Sequence, residues 1–423
     1  MNNQRLELVA DFYEYTMANG YFNKNMEDRI AYFDVFFRKV PDEGGYAIVA
    51  GLEQIINYIR NLSFDEEDIS YLRKQNKFSE EFLNYLENFR FTGDIWAIPE
   101  GTVVFPNEPL ITVKAPIIQA QLLETMLLLT TNHQSLIATK TSRIVKEAQG
   151  RPVMEFGARR AHGINAAVEG ARAAIIGGAV GTSCTLSAKE FNIPASGTMA
   201  HSWIQSFDSE YEAFKAYAEL YPDDCTFLID TYNTIESGLP NAIKVFNEVL
   251  KPKGYRPKAV RLDSGDLAYL SKKVRKILDE AGYEDCKICA TNSLDEYLIK
   301  SLIEQDAKID LFGVGENLIT AKSEPVFGGV YKLVALEKDK KIVPKIKVSE
   351  NTAKVTNPSF KKVYRFYDNE TKKAIADVIT LADEILDERE YMIFDPQNPW
   401  KKKILKDYSI RLLQEKIFEE RKI

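Results

Sequence analysis

Cysteine and histidine are scarce in this chain: its 423 residues include four cysteines and three histidines. Four cysteines cannot form a disulfide framework for a chain of this length, which points to a reducing compartment. The only imidazoles are His133, His162 and His201, and no HxH or HExxH spacing supports a zinc site. Cys286-Lys-Ile-Cys289 has redox-motif spacing, but it begins a predicted strand and has no second CxxC, so it reads as a structural pair. Positive charge is not in excess either: 55 Lys and Arg against 62 Asp and Glu give a net charge of −7. A general nucleic-acid binder usually shows a basic face, so nucleic acid is excluded as a partner. Long apolar runs are missing as well. The longest, Met126 to Leu129 and Ala173 to Val180, fall far short of the ~20 residues that span a bilayer. The opening MNNQRLELVADFYEY carries acids and aromatics and no apolar signal-peptide stretch. A soluble cytoplasmic protein without a membrane partner is expected. Walker A and a complete GxGxxG are absent too, which excludes a P-loop NTPase and a Rossmann-type NAD dehydrogenase.

Hydrophobic residues make up 45% and charged residues 28% of the chain, a globular balance. The length suits about two to three domains. Residues 1–90 read as mostly helical, with helix starts at Ser63-Phe-Asp-Glu66 and at Ser79, and one alternating aromatic strand, Tyr32 to Phe37. Residues 93–116 (IWAI, TVVF, LITV) read as a small sheet of hairpins, followed by a helix over 119–131. From about 150 to 320, short apolar runs alternate with helix-length segments. The runs are VMEFG, AVGTSCT, ASGTMAH, TFLID, AVRLD, KICATN and IDLFGVG, and the helices fall at 165–176, 209–220, 239–250, 267–281 and 294–305, the last opened by Ser293-Leu-Asp-Glu296. This pattern predicts βαβ units and a parallel sheet. Nearly every run ends in polar or small residues, and active sites assembled from several strand ends favour an irregular, incomplete TIM-like β/α barrel over a doubly wound sheet. After 320, lysine-rich strands (329–334 and 342–348) and a charged tail follow, with Lys401-Lys-Lys403 as a solvated face. The expected division is a first domain from 1–130 and 325–423, and a barrel domain from 131–324.

Several strand ends carry candidate chemistry. Arg159, Arg160 and Arg261 suit phosphate, because a guanidinium donates two parallel hydrogen bonds; surface ion pairs are the alternative. Gly313-Val-Gly315 and Gly328-Gly329 can admit a phosphate against the backbone, or serve only as turns. Asp263 and Asp266, with Asp230 one strand earlier, can hold ribose hydroxyls or a hydrated Mg²⁺, or can cap helices. His201 can act as base, ligand or nucleophile toward phosphate.

Eight segments, DFYEYTMANGYF, EFGARRAHG, GTSCT, ASGTMAHSW, IDTYNT, VRLDSGDL, LFGVGENLIT and GGVYKLV, resemble the nicotinate phosphoribosyltransferase family in this order over most of residues 10–405. The resemblance implies a type II phosphoribosyltransferase fold, with an open-faced α/β sandwich from both chain ends beside the incomplete barrel. The implied reaction joins nicotinate to 5-phosphoribosyl 1-pyrophosphate in NAD salvage, with ATP as co-substrate and Mg²⁺ as cofactor. It makes His201 the residue that ATP phosphorylates. Phe156 stacks on one face of the pyridine, and Tyr13 from a neighbouring subunit covers the other, implying a homodimer with shared sites. Thr198 and Arg261 contact nicotinate, and Arg159 serves the ring or the phosphates. Gly313, Gly315 and Thr320 form the phosphate end, and Asp263 and Asp230 hold ribose or Mg²⁺. Related nicotinamide-using enzymes place an aspartate where this chain has Ser183; a serine does not repel a carboxylate, which favours nicotinate. Nicotinamide use, or another phosphosugar barrel enzyme, is the alternative. Bacterial relatives of this pattern often continue some tens of residues past DPQNPWKKK, whereas this chain stops at Ile423. That short end bears on C-terminal packing and dimer stability more than on catalysis.

Overall fold

The computed structural model describes residues 6–348, 355–387, 389–396 and 398–419. The chain forms two compact units, residues 1–135 with 326–423, and residues 136–325.

The first part of the first unit is helical with a strand at its centre. Helix Phe12–Phe22 opens on a capping box between Asp11 and Glu14. Strand β1 (Ile30–Phe36) has six of its seven residues buried, so it needs strand neighbours on both edges and cover on both faces. Next come β2 (Ala47–Ile48), β3 (Asp94–Ala97), β4 (Val103–Val104) and β5 (Ile111–Pro116). The expected separate hairpin sheet is not formed. β5 lies antiparallel between β1 and β3, with Phe33 opposite Val113 and Ile95 opposite Val113, while β4 leaves to pair with β2. The demand of β1 for a partner outweighs local hairpin closure. Ser79 caps its helix, bonding to Phe82 N at 3.3 Å. The neighbouring helix starts two residues later than the Ser63 signal suggested. There Asp65 accepts from Glu67 N and Asp68 N at 2.8 and 3.0 Å, and Asp68 answers to Asp65 N at 3.1 Å. A carboxylate satisfies two free amides and suits the positive helix end, so it displaces the hydroxyl. The helix expected at 119–131 is broken into Ile117–Gln121 and a 24-residue helix, Glu124–Glu147.

The second unit holds six parallel strands: β6 (Val153–Glu155), β7 (Gly181–Thr182), β8 (Thr226–Leu228), β9 (Ala259–Leu262), β10 (Lys287–Ala290) and β11 (Leu311–Val314). Their order is β7-β6-β11-β10-β9-β8. The last strand therefore returns beside the first, with Phe312 opposite Val153, and the curled half-barrel is open between β7 and β8. The third run, ASGTMAH, was expected to be a strand and is not. Only Ala195 bridges to Thr182. Pro194 lacks an amide for a ladder, and Met199 alone of this stretch is buried, so the chain turns away to start helix His201–Gln205.

Helices Ile164–Ile176, Glu210–Leu220, Leu239–Val245, Leu267–Glu280 and Glu296–Glu304 match the helix-length segments. Asp295, not Ser293, caps the last of these, through Leu298 N at 2.8 Å. Asn292 and Ser293 are left-handed, with φ of 84° and 50°, and lie outside the helix. The core stacks Phe214 on Phe227 at 4.5 Å and Phe227 on Phe246 at 5.4 Å. Cys225, Cys286 and Cys289 are buried and free, and burial pushes each thiol up to about 12. Inert protonated thiols fit the structural reading of Cys286 and Cys289.

Back in the first unit, β12 (Val330–Lys338) and β13 (Lys341–Pro344) join β1. The charged tail falls in the first unit, as expected, and is mostly sheet. It forms β14 (Lys361–Asp368), β15 (Ala374–Leu381), β16 (Glu390–Asp395), β17 (Asn398–Lys406), β18 (Tyr408–Leu412) and β19 (Glu415–Phe418), which pairs with β3. A buried Lys361–Asp34 pair at 2.8 Å, with Thr112 bonding the same carboxylate at 2.7 Å, ties β14 to β1. Lys401 to Lys403 are exposed on β17, as expected. Among the described residues no helix is long and apolar enough to cross a membrane.

Candidate active site

Arg261 sits on β9 between its parallel neighbours β8 and β10, one residue from the strand's carboxyl end. Only 16% of that side chain is exposed. Its Nε donates to Thr291 Oγ1 at 3.1 Å. Nη1 donates to Thr198 Oγ1 at 3.1 Å and to Met199 O at 3.2 Å, and Nη2 donates to Asp263 Oδ1 at 3.3 Å. Asp263 follows β9 directly, and its backbone N donates to Asp230 Oδ2 at 2.7 Å. Ser264 Oγ donates to the same Asp230 oxygen at 2.7 Å, while the other Asp230 oxygen is buried without a partner.

His201 opens its short helix with Nδ1 3.1 Å from Thr231 Oγ1 and Nε2 3.6 Å from Asp263 Oδ2. One connected network thus unites Thr198, His201, Asp230, Arg261 and Asp263. Gly238, at the end of the helical turn 234–238, packs against the backbone that leads from β8 into Asp230 and Thr231. A Cβ there would sit 1.8 Å from Ile229 O. Asp266 serves as a cap instead, accepting from Tyr269 N at 3.0 Å.

Phe156 leaves β6 with its N donating to Val314 O at 2.8 Å. Its ring lies over Gly313, where a Cβ would come within 2.6 Å of the ring and 2.7 Å of Thr291 Cγ2. The glycine at 313 is therefore required for seating the aromatic ring. Below it, Glu155 is fully buried. It accepts from Gly157 N and from Thr182 Oγ1, the latter at 2.6 Å, while its own carbonyl accepts from Ser183 N at 2.9 Å. Burial raises its carboxyl above the ordinary range, and the two hydrogen bonds pull it back. One carboxylate thus fixes both the turn that carries Phe156 and the turn that presents the exposed Ser183.

The remaining candidates lie apart from this network. Arg159 and Arg160 are exposed in a single 3₁₀ turn, and Arg160 Nε is 3.7 Å from Glu316 Oε2. Glu316 also pairs with Lys322 at 2.8 Å, which lowers its carboxyl below the ordinary range. Thr320 Oγ1 donates to Glu316 O at 2.7 Å, next to the turn at Gly315. Tyr13 belongs to the first unit, is 44% exposed, and has its phenol raised by burial and by Glu124. Sequence reading had named the strand ends at 231 and 291 without a role for either threonine, and had passed over Glu155. A charged residue inside the apolar run VMEFG was the available signal.

The sequence matches the nicotinate phosphoribosyltransferase (NAPRTase) N-terminal domain over residues 8–132, the family proper over 152–380 and the C-terminal domain over 360–423. The chain belongs to the nicotinate phosphoribosyltransferase family. It is 47% identical over 416 residues to the nicotinate phosphoribosyltransferase of Bacillus subtilis, spanning 98% of this chain and 84% of that protein. The Caenorhabditis elegans nicotinate phosphoribosyltransferase is 36% identical, across 89% of this chain and 76% of the relative. The crystal structure of human nicotinic acid phosphoribosyltransferase superposes with a TM-score of 0.85 at 26% identity, covering 97% of this chain and 89% of that one. The fold of nicotinate-nucleotide pyrophosphorylase from Pyrococcus furiosus is shared as well, with a TM-score of 0.71 at 23% identity over 99% of this chain and 93% of that one. The half-barrel with antiparallel sheets from the chain ends is thus the architecture of nicotinate phosphoribosyltransferases.

Proposed function

We propose that this chain condenses nicotinate with 5-phosphoribosyl 1-pyrophosphate, in a C–N bond-forming reaction of cytoplasmic NAD salvage coupled to ATP hydrolysis. The observation that carries the reading is the single network joining a cation (Arg261), two carboxylates (Asp230 and Asp263) and His201 at the ends of β8 and β9. Arg261 and Thr198 face the nicotinate carboxylate, and Phe156 stacks on the pyridine. The pyridine nitrogen attacks the anomeric carbon as the C–O bond to pyrophosphate breaks, so the N–C bond forms with the nitrogen lone pair and pyrophosphate departs with the bonding electrons. That nitrogen is already a nucleophile and needs no base, which suits a site without a catalytic lysine or acid–base pair. Holding the two reacting atoms in line is the main contribution of the protein.

A Mg²⁺ ion fits the residues present. The buried, unpartnered Asp230 oxygen lies beside Asp263, and Mg²⁺ is commonly held by one or two carboxylates together with substrate phosphates. When bound, it supplies charge neutralisation for the departing pyrophosphate. In the ATP half-reaction a His201 ring nitrogen attacks the terminal phosphorus, an N–P bond forms and ADP leaves. Water later cleaves that bond to release phosphate. Asp263 Oδ2 lies 3.6 Å from Nε2, and Thr231 Oγ1 lies 3.1 Å from Nδ1, so both ring nitrogens have an oxygen nearby to orient the ring. Arg159, Gly315 and Thr320 are assigned to the phosphates of the sugar substrate. Ser183 offers no charge to repel the nicotinate carboxylate. A homodimer in which Tyr13 enters the site of the second copy is supported by the surface of helix Phe12–Phe22, which exposes Phe12, Tyr13 and Met17 by 41%, 44% and 38%.

The test is chromatographic. The protein is incubated with phosphoribosyl pyrophosphate and Mg²⁺, with nicotinate or nicotinamide, each with and without ATP, and with His201→Ala alongside. Mononucleotide from nicotinate, stimulated by ATP in the wild type and not in the variant, is the expected result. Efficient product from nicotinamide overturns the Ser183 argument, and no product from either overturns the reading.

A further inference from the structure

Arg261 and Asp263 are held by a residue that contacts neither substrate in the proposed scheme. Thr291 directly follows β10, is 4% exposed, and extends the sheet ladder by donating its N to Leu262 O at 2.9 Å. Its hydroxyl accepts from Arg261 Nε at 3.1 Å and donates to Asp263 Oδ1, with Leu262 O as a longer alternative acceptor at 3.3 Å. A hydroxyl has one proton to give, so the pattern has a direction: guanidinium to hydroxyl to carboxylate. Its other branch, Cγ2, stands where a Cβ on Gly313 would come within 2.7 Å, on the side of that glycine that carries the Phe156 ring. A β-branched side chain has little χ1 freedom, so one rotamer sets the hydroxyl and the methyl together.

The consequence for Arg261 can be counted. A guanidinium has five N–H groups. Among the described residues four are already donated, to Thr291, Thr198, Met199 and Asp263. One Nη2–H is left for a ligand. The arginine therefore does not meet a carboxylate as a free two-pronged fork; it offers one donor whose direction is fixed by the Nε bond to Thr291. We propose that Thr291 is a positioning residue for both substrates, its hydroxyl fixing the roll of the Arg261 guanidinium and the orientation of the Asp263 carboxylate. This rests on the placement of Arg261 and Asp263 in the substrate site.

The experiment is a set of steady-state measurements on the full chain, with KM and kcat for nicotinate and for phosphoribosyl pyrophosphate and a thermal melt for each variant. Thr291→Val keeps both branch atoms and deletes only the hydroxyl. Leaving the Arg261 Nε–H unpaired, and Asp263 Oδ1 with only the 3.3 Å bond from Arg261 Nη2, corresponds to a KM rise of about tenfold for each substrate, with kcat within about threefold of wild type. Thr291→Ala deletes the same hydroxyl and keeps the test open should the valine variant not fold. Thr291→Ser retains the hydroxyl and is expected to restore both KM values. In an Arg261→Ala background, Thr291→Val is expected to add nothing to the nicotinate KM. The proposal is overturned by unchanged KM values in the valine or alanine variant, by a serine variant as impaired as valine, or by a full valine effect persisting without Arg261. An Arg261→Ala enzyme with a normal nicotinate KM also overturns it, and shows that the fault lies in the site assignment rather than in the positioning step.

Discussion

Arg261 leaves β9 with its guanidinium held by four hydrogen bonds and only 16% of its side chain exposed. Arg160, at the end of β6 in the same sheet, is 60% exposed and meets a single carboxylate at 3.7 Å. Both were read from the sequence as phosphate-binding arginines at strand ends. The difference lies in what surrounds them. β9 is flanked by β8 and β10, whose ends supply Asp230 and Thr291 to the arginine and its carboxylate partner. The turn after β6 leaves Arg159 and Arg160 exposed, and among the described residues Arg160 reaches Glu316 alone. A preorganised group acts on a ligand without reorganising, whereas an exposed one first has to be ordered. In the proposed scheme, recognition of the small planar substrate belongs to the first arrangement. The second suits a flexible, highly charged phosphate chain.

Breaking the preorganised side has the largest expected effect. Asp263→Ala removes the partner of Arg261, the neighbour of His201 and the acceptor of Thr291, and is expected to cost about a hundredfold or more in kcat/KM for phosphoribosyl pyrophosphate. Gly313→Ala tests the seat of Phe156. Its new methyl collides with the ring or with Thr291, so a loss of about 1–3 kcal/mol in stability, or a displaced ring and a raised nicotinate KM, is expected from melts and kinetics. Glu155 is the buried anchor on the β6 side, and its pH dependence sharpens the contrast. Its folded-state pKa is raised by burial above the ordinary value of 4.5, so the folded chain binds the proton more tightly than the unfolded one. Its contribution to stability is fullest below the ordinary carboxylate value and is lost as pH rises through the raised one. Melting temperatures measured upward from pH 4 are expected to fall less steeply in Glu155→Gln than in the wild type. The smallest effect is expected for Arg160→Ala. Its long, exposed ion pair is screened by water, so the melting temperature is expected to stay at the wild-type value, and any kinetic loss falls on the sugar-phosphate substrate.

The same contrast explains what the sequence could reveal. Buried parallel strands need continuous apolar runs, and the turns after them need small or polar residues. Hence AVRLD and IDLFGVG announce both their strands and their strand-end chemistry. ASGTMAH shares the polar ending but lacks the apolar body, and the structure makes it a turn rather than a strand. The tail after residue 360 was hard to read for a different reason. Strands such as β17, exposed at almost every position, carry charge where a buried strand would show a pattern. The eight family-like segments located the Arg261–Asp263–His201 set and Phe156, but the residues that support them could not be assigned from position alone. Thr291 comes from the strand beside Arg261, and Thr231 follows Asp230 on another. Glu155 acts through a turn 27 residues away. Their roles are set by which strands become neighbours, and β11 returning beside β6 is not written in any local pattern.

In the proposed scheme the fixed guanidinium of Arg261 reads the carboxylate that distinguishes nicotinate from nicotinamide. The most direct test compares kcat/KM for the two pyridines, at saturating phosphoribosyl pyrophosphate, in the wild type and in Arg261→Ala. A strong wild-type preference for nicotinate is expected, falling by about a hundredfold in the variant because a charged partner is truncated. An unchanged preference in an otherwise weakened enzyme would contradict it, and would place the recognition of the carboxylate elsewhere in the site.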